Sequence, residues 1–150
     1  MKPLTFTEHV EKLENLQIHA FGYELLREVL LPNLLGKEHS AILYWAGKRL
    51  ARNYPLSSLD ELASFFQTAN WGMLTKVQEK KNELIFELQS DLISKRLDLN
   101  KDVSFQLEAG FIAEQIEQMN NYVTETYEEI KHRAKKVVFT VKWDAKDHKK

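Results

Sequence analysis

The sequence predicts an α+β fold in which helices pack against an antiparallel sheet built from two hairpins. Hydrophobic residues recur at spacings of three and four through much of residues 19–68, as on helices that bury one face. The period changes to two in residues 71–89 and again in residues 122–143, as in strands with one covered face. A helical pattern over residues 104–120 separates these two regions. Along the sequence, this order predicts one pair of strands before a helix and a second pair after it.

The N-terminal part of the chain predicts a polar extension followed by a helix. Residues 1–20 scatter hydrophobic side chains among charged ones and are expected to form no more than a turn or two of helix. A helix is predicted from His19 onward, with a wide apolar face that consists of Phe21, Leu25, Leu26, Val29 and Leu30. Pro32 is expected to kink or end this helix because proline lacks the backbone donor. Gly36 suits the helix C-terminus, where glycine adopts a left-handed conformation without strain.

Two further helices are predicted before the first strand. One covers residues 41–53 and carries Gly47 inside its apolar stripe. Glycine costs about 1 kcal/mol relative to alanine in a helix interior, so we expect a steric role in which another backbone or a ligand comes close. The next helix begins at overlapping capping boxes in residues 57–61 and ends near Thr68.

Strand patterns dominate the remaining sequence, apart from the helix at its centre. Residues 71–78 and 83–89 are predicted to pair as an antiparallel hairpin. Residues 90–101 alternate weakly and are expected to form an irregular strand or a loop with a short helical turn. The last hairpin is predicted from strands at residues 122–131 and 136–143.

The whole pattern fits one domain. No linker, repeat or low-complexity tract divides the sequence, and a chain of this length buries roughly 70% of the surface that it exposes when extended. We expect an extension over residues 1–20, the α+β domain over residues 21–144 and a flexible tail over residues 145–150.

The composition excludes several classes of function. With 21 basic and 22 acidic residues, the chain lacks the excess of positive charge that nucleic-acid binding needs. It contains no cysteine, which rules out disulfides and thiolate chemistry and favours a reducing cytosol. Its apolar runs are shorter than the roughly 18 residues of a membrane span, so no integral membrane association is expected.

No pattern of residues indicates catalysis, a metal or a cofactor. The five histidines do not form the pair at i and i+4 that would place two zinc ligands on one helix face. Glu125 and Glu129 lie on one face of a predicted strand and Glu128 on the other, which suits a solvated sheet rim better than an acid and base pair. A haem sensor would need an axial histidine in an apolar pocket, and His19 and His39 are expected near helix ends instead.

Three stretches resemble the vinyl-reductase type of ligand-binding domain. They are residues 30–50, which include the Gly47-Lys48-Arg49-Leu50 run, residues 70–74, and residues 105–113 with the strand that follows. The chain as a whole is similar to the YslB-like proteins, a bacterial family of unassigned function. The resemblance implies the ligand-binding fold of nitric oxide signalling and Golgi transport proteins, whose members bind an apolar ligand, pair through their helices, or do both. Tyr127 stands where the vinyl-reductase type carries cysteine, so metal binding and acylation are not implied.

Two sets of residues are the candidates for a functional site. Small and aromatic residues on apolar faces are expected to serve either in close helix packing or in the lining of a ligand pocket: Gly47, Gly110, Phe111 and Trp71. Aromatic residues on the first two helices exceed what one small core needs and are candidates for a homodimer interface: Phe21, Tyr23, Tyr44 and Trp45.

The sequence therefore predicts a cytosolic, non-enzymatic binding module. It is expected to form a homodimer and to bind a protein partner or an apolar small molecule, with no cofactor and no metal. The alternative is an enzyme or sensor that acts on an apolar ligand in a cavity between helices and sheet, with Glu125, Tyr127 or His132 as proton donor. A buried carboxylate with a shifted pKa would favour that alternative.

Overall fold

The computed structural model describes residues 3–148, so the first two residues of the predicted extension and the last two of the predicted tail lie outside it. Within residues 3–148 the α-helices are α1 (Phe6–Leu13), α2 (Ala20–Glu24), α3 (Leu31–Leu35), α4 (His39–Asn53), α5 (Leu59–Thr68), α6 (Asp91–Leu99) and α7 (Gln106–Asn120). The strands are β1 (Met73–Lys80), β2 (Glu83–Gln89), β3 (Tyr122–Lys131) and β4 (Lys136–His148). The segment Leu25–Leu30 is a π-helical turn, and Gly36–Glu38 is a 3₁₀ turn.

The four described strands form one antiparallel sheet in the order β1-β2-β4-β3. The two hairpins join where β2 pairs with β4, with Phe86 opposite Phe139. Alternate residues of these central strands are buried under the helices, in particular Leu84, Phe86, Leu88, Val137, Phe139 and Val141. The predicted α+β class, with helices on an antiparallel sheet of two hairpins, is confirmed.

Aromatic rings from three helices and the α5–β1 connection form the centre of the core. Phe111 on α7 stacks on Phe65 of α5 at a centroid distance of 4.5 Å, and Trp71 meets it edge-on at 5.3 Å. Phe6 of α1 stacks on the other side of this cluster, 4.9 Å from Phe65. The N-terminal extension therefore contributes one ring to the core.

Helices α4 and α7 cross with their backbones in contact. A Cβ atom placed on Gly47 would lie 2.1 Å from the carbonyl oxygen of Leu107, and one placed on Gly110 would lie 2.0 Å from that of Tyr44. Both distances are well below any real contact between a Cβ and an oxygen. Glycine at these two positions is what allows the helices to approach so closely.

Pro32 does not end the first long helix, which continues from α2 to α3. The missing donor and the ring of proline are accommodated by the π-helical turn before it, where the N–H of Leu31 donates to the carbonyl of Leu26, five residues back. The helix ends at Gly36, whose φ of 65° is in the left-handed region. We call the continuous helix over residues 20–35 the bulged helix.

Two segments differ from the sequence prediction. Residues 90–101, predicted as an irregular strand or loop, contain helix α6, because Ser90 accepts the N–H of Ile93 at 3.0 Å and caps a helix that buries Ile93 and Leu97. Strand β4 continues to His148, past the predicted start of a tail at residue 145, because its end pairs with Tyr122 on β3.

The crossing of α4 and α7 predicts a strong response to a single methyl group. Gly47→Ala should lower the free energy of unfolding by about 1 to 3 kcal/mol, since the added carbon meets backbone that cannot move aside. Gly22→Ala is the matched control, because a Cβ at that helical position meets nothing within 4 Å. Urea denaturation measures both variants. Equal stability of Gly47→Ala and wild type would contradict the close crossing.

Candidate functional site

The bulged helix has an inverted distribution of polarity. Its outward side chains are apolar, and Phe21 and Leu34 are 62% and 68% exposed. Its inward side chains are polar, and Arg27 is only 6% exposed. A surface helix of a globular protein normally turns its apolar stripe to the core and its charges to water. The helix is therefore attached to the domain by charges and presents hydrocarbon to the surface.

The first inward contact is a buried ion pair between the bulged helix and α7. Nη2 of Arg27 lies 2.5 Å from Oε1 of Glu108, whose side chain is completely buried. Nη1 of Arg27 donates to the hydroxyl of Tyr23, one turn earlier, at 2.9 Å. Burial alone would lower the pKa of Arg27, yet the neighbouring Glu108 raises it above its usual value, so the pair is held in the charged state.

A second ion pair of the opposite polarity lies beside the first. Nη2 of Arg96 on α6 donates to Oε1 of Glu28 at 2.6 Å, and Asn100 donates to the other oxygen of Glu28 at 3.4 Å. The guanidinium of Arg96 also lies over the ring of Phe105, 4.6 Å from its centroid. Arg27 and Glu28 thus contribute one positive and one negative charge to this contact, and each is neutralised by the domain.

Tyr23 connects the two ion pairs. Its ring faces both guanidinium groups, at 5.9 Å from Arg27 and 5.7 Å from Arg96. Burial raises the pKa of its hydroxyl, and the nearby Arg27 offsets part of that effect. We refer to Tyr23, Arg27, Glu28, Arg96 and Glu108 as the buried charge network.

The buried charge network does not satisfy all of its polar atoms. Among the described residues, the Nε atoms of Arg27 and Arg96 and Oε2 of Glu108 are buried and have no hydrogen-bond partner. Removing charges from water costs several kcal/mol per ion, and this cost is offset only when the partner is present in good geometry. Removal of one partner from either ion pair would therefore leave the other ion buried without its counter-charge.

The half-buried carboxylate of Glu128 stabilises the start of α7. It accepts the backbone N–H of Phe105 at 3.1 Å and the side-chain amide of Gln106 at 2.5 Å. Burial raises its pKa, and these two donors act in the opposite direction. The arrangement is that of a helix cap in which both carboxylate oxygens are occupied.

A cavity of about 490 Å³ opens at the seam between the bulged helix and the rest of the domain. Its lining is mainly apolar and comes from three segments of the chain, namely residues 18–23, residues 67–73 and residues 89–92. Tyr23 belongs both to this lining and to the buried charge network. An occupant of the cavity would therefore contact the residue that links the two ion pairs.

The pocket or packing candidates lie in the core rather than at this cavity. Gly47 and Gly110 form the crossing of α4 and α7, while Trp71 and Phe111 belong to the aromatic cluster. None of the four candidates lines the cavity. Gly72, which follows Trp71 in the sequence, does line it.

The interface candidates occupy two different environments. Phe21 and Trp45 are exposed on the bulged helix and on α4, at 62% and 63%. Tyr23 turns inward, as described above. The hydroxyl of Tyr44 accepts the N–H of Thr126 at 3.1 Å and donates to Glu125 at 2.8 Å, so it ties α4 to β3, and burial raises its pKa.

The charged residues of the network were not among the sequence candidates. Their signal was present, since Arg27 follows Leu26 in a largely apolar run of sequence and Glu108 lies between Leu107 and Ala109. A charged residue on an apolar face is rarely buried unless it has a partner. The partner could not be inferred, because Arg27 and Glu108 are 81 positions apart in sequence.

The described part of the chain offers neither a metal-binding cluster nor a membrane-spanning helix. In residues 3–148 no three His, Asp or Glu side chains come together in a way that could hold a metal ion. Over the same residues, every helix is too short or too polar to cross a bilayer.

The fold is shared with a solved structure. A crystal structure of a vinyl-4-reductase family protein from Methanocaldococcus jannaschii superposes with a TM-score of 0.64 at 20% identity, and covers 96% of this chain and 98% of that chain. This likeness assigns the class of fold, an α+β domain of the vinyl-4-reductase type.

Sequence comparison assigns the family. The chain belongs to the family described as a protein of unknown function, DUF2507, whose sequence model matches residues 20–142. It is 53% identical over 142 residues to the uncharacterised protein YslB of Bacillus subtilis (strain 168), which covers 95% of this chain and 96% of that protein. The resemblance to YslB-like proteins is confirmed, and the activity of this family has not been assigned.

Because the ion pair of Arg27 and Glu108 is buried, a variant that lacks one of the two charges should be less stable than a variant that lacks both. Arg27→Met should lower the free energy of unfolding by about 3 to 5 kcal/mol, because Glu108 is left buried without its counter-charge. The double variant Arg27→Met with Glu108→Leu should recover most of this loss. A double-mutant cycle in urea measures the coupling.

The matched control is the ion pair between Lys76 and Glu79, which has a similar distance of 2.7 Å but is exposed. Lys76→Met should change stability by no more than about 1 kcal/mol. If Arg27→Met behaves like Lys76→Met, the network does not hold the bulged helix to the domain.

Proposed function

We propose that this protein is a non-enzymatic, cytosolic binding module that forms a homodimer and binds a protein partner or an apolar small molecule. The observation that carries the proposal is the inverted polarity of the bulged helix. Arg27 and Glu28 are paired with its own domain, and its exposed apolar side chains remain for contacts with another molecule.

The exposed apolar surface extends over two helices. We call it the apolar face, and it consists of Phe21, Leu25, Leu26, Val29, Leu30 and Leu34 on the bulged helix and Ile42 and Trp45 on α4. The two helices are consecutive and are joined by the short turn at Gly36–Glu38. Covering apolar area contributes about 25 cal/mol per Å², and apolar patches of this kind mark interaction sites.

A second copy of the chain is the partner that this surface suits best. The residues of the apolar face carry no charge themselves, so two copies related by a two-fold axis can meet there with hydrocarbon against hydrocarbon. Phe21 and Trp45 supply the aromatic contacts that are enriched in interfaces. Self-association would also remove these side chains from water, and the fraction of dimer would rise with protein concentration.

The carboxylates that the fold buries or hydrogen-bonds are engaged in structural contacts, which supports a binding role. Glu108 is paired with Arg27, and Glu128 caps α7, so neither carboxylate faces an open space. Of the proton donors proposed for an enzyme, Glu125 is bound by Tyr44, and Tyr127 is 58% exposed on a strand. A general acid or base needs to reach its substrate within hydrogen-bond distance in a site that excludes water.

Ligand and dimer would be linked through the bulged helix. The helix lines the cavity on one side and forms most of the apolar face on the other. A molecule that binds better to one arrangement of this helix would shift the assembly equilibrium by its difference in affinity.

The dimer is tested with Phe21→Glu combined with Trp45→Glu. Because both side chains are exposed within one protomer, the variant should fold normally and have the mass of a monomer, whereas wild type has the mass of a dimer. Light scattering after size-exclusion chromatography measures the masses, and circular dichroism measures the fold.

Leu99→Glu combined with Tyr127→Glu is the matched control, since these side chains are exposed to a similar degree outside the apolar face. The control should keep the dimer mass. A monomeric wild type, or a Phe21→Glu and Trp45→Glu variant that stays dimeric, would refute this interface.

A further inference from the structure

The cavity at the seam has the size and the walls of a small-molecule site. Its volume of about 490 Å³ falls within the range of known ligand pockets, and its lining is mainly apolar. Ile18 forms part of its edge and is 84% exposed, so an occupant would cover hydrocarbon that now faces water.

The wall opposite the bulged helix is formed by a constrained backbone. Gly72 has a φ of 129°, and a Cβ there would lie 3.0 Å from the carbonyl oxygen of Gln89 and from the side chains of Leu88 and Ile93. Asn70, two residues earlier, also has a positive φ of 58°. This wall is therefore set by the turn between α5 and β1 and is packed from behind.

The charge of the lining restricts what the cavity can bind. No lysine or arginine is among the described residues that line it, and the carboxylate of Asp91 carries the formal charge of the lining. His19 accepts the backbone N–H of Phe21 at Nδ1, so that nitrogen carries no proton. Arg27 and Arg96 lie behind Tyr23, but each is already paired with a carboxylate. An anionic ligand in this cavity would face Asp91 with no lysine or arginine in the lining, and Lys135 lies in an adjoining pocket that shares Asp91.

Polar groups that can hold one end of a ligand lie next to Asp91. Gln89 and Ser90 precede it in the lining, and the Oγ of Ser90 accepts the N–H of Ile93, which leaves its hydroxyl proton for another acceptor. Asp91 is exposed and begins α6, so its carboxylate is free to approach a positive group at the rim.

We propose that this cavity binds an apolar amine, with the hydrocarbon against Ile18, Tyr23 and Met73 and the ammonium group at the Asp91 carboxylate. This ligand class deepens the proposed function and rests on it, because it names the small molecule that the binding module takes. Carboxylic acids of the same shape bind least tightly because they face Asp91, and neutral alcohols bind with intermediate affinity.

Three probes of one shape test the assignment: 1-naphthylmethylamine, 1-naphthalenemethanol and 1-naphthoate. Titration of each into the full-length protein, followed by amide NMR shifts, should move the signals of Gly72 and Leu92 and give the order amine, alcohol, acid. The amine should bind about fivefold more tightly than the alcohol, which is the upper range for an exposed ion pair.

Asp91→Asn removes the charge while Ser90 still caps α6. In this variant the amine should lose its advantage over the alcohol, and the alcohol should bind as before. Asp60→Asn is the matched control, because Asp60 is an exposed carboxylate in the first turn of another serine-capped helix, α5, and lies outside the cavity. It should retain the preference of the wild type.

Several results would overturn the assignment: an acid that binds as tightly as the amine, an amine that binds no better than the alcohol, an Asp91→Asn variant with the wild-type preference, or no probe that shifts these amides. The mass of the same samples separates this failure from that of the homodimer. A dimer without amine binding refutes the ligand class alone, and a monomer that binds the amine refutes the dimer alone.

Discussion

The arrangement of the molecule depends on the buried charge pairs that attach the bulged helix. Arg27 meets Glu108 and Glu28 meets Arg96, so the helix and the domain exchange one positive and one negative charge. A helix that slid or rotated on the domain would leave at least one ion buried without its partner, which costs several kcal/mol. An apolar contact tolerates such shifts far better, because it has no direction. The ion pairs therefore fix which side of the helix faces outward.

Two properties of the surface follow from this orientation. The apolar side chains of the apolar face, which would normally enter the core, are left exposed on the bulged helix and on α4. The attachment is also incomplete along its length, and a cavity remains where residues 18–23 pass the turn at Gly72. Both the proposed interface and the proposed ligand site are consequences of a helix that is held by charge instead of by hydrocarbon.

Local signals in the sequence predicted most of the fold. The spacing of apolar residues predicted α4, α5 and α7, and the change to alternation predicted both hairpins, because one face of each element is buried. Helix α6 was missed because Ile93 and Leu97 fit a weak alternation as well as a spacing of four, although Ser90 offered a cap. Pro32 was expected to end or kink a helix, and the π-helical turn that admits it is not encoded in any periodic pattern.

The site could not be predicted to the same extent, because it depends on contacts between distant segments. A buried Arg27 can be suspected from its apolar neighbours, but the identity of Glu108 as its partner requires the fold. The most direct test of the account is hydrogen exchange at a series of protein concentrations. The amides of residues 20–35 and of the first half of α4 are expected to become more protected as the protein concentration rises, while the protection of the amides in β1 and β2 stays the same. Protection that is independent of concentration, or that rises on the sheet instead, would contradict it.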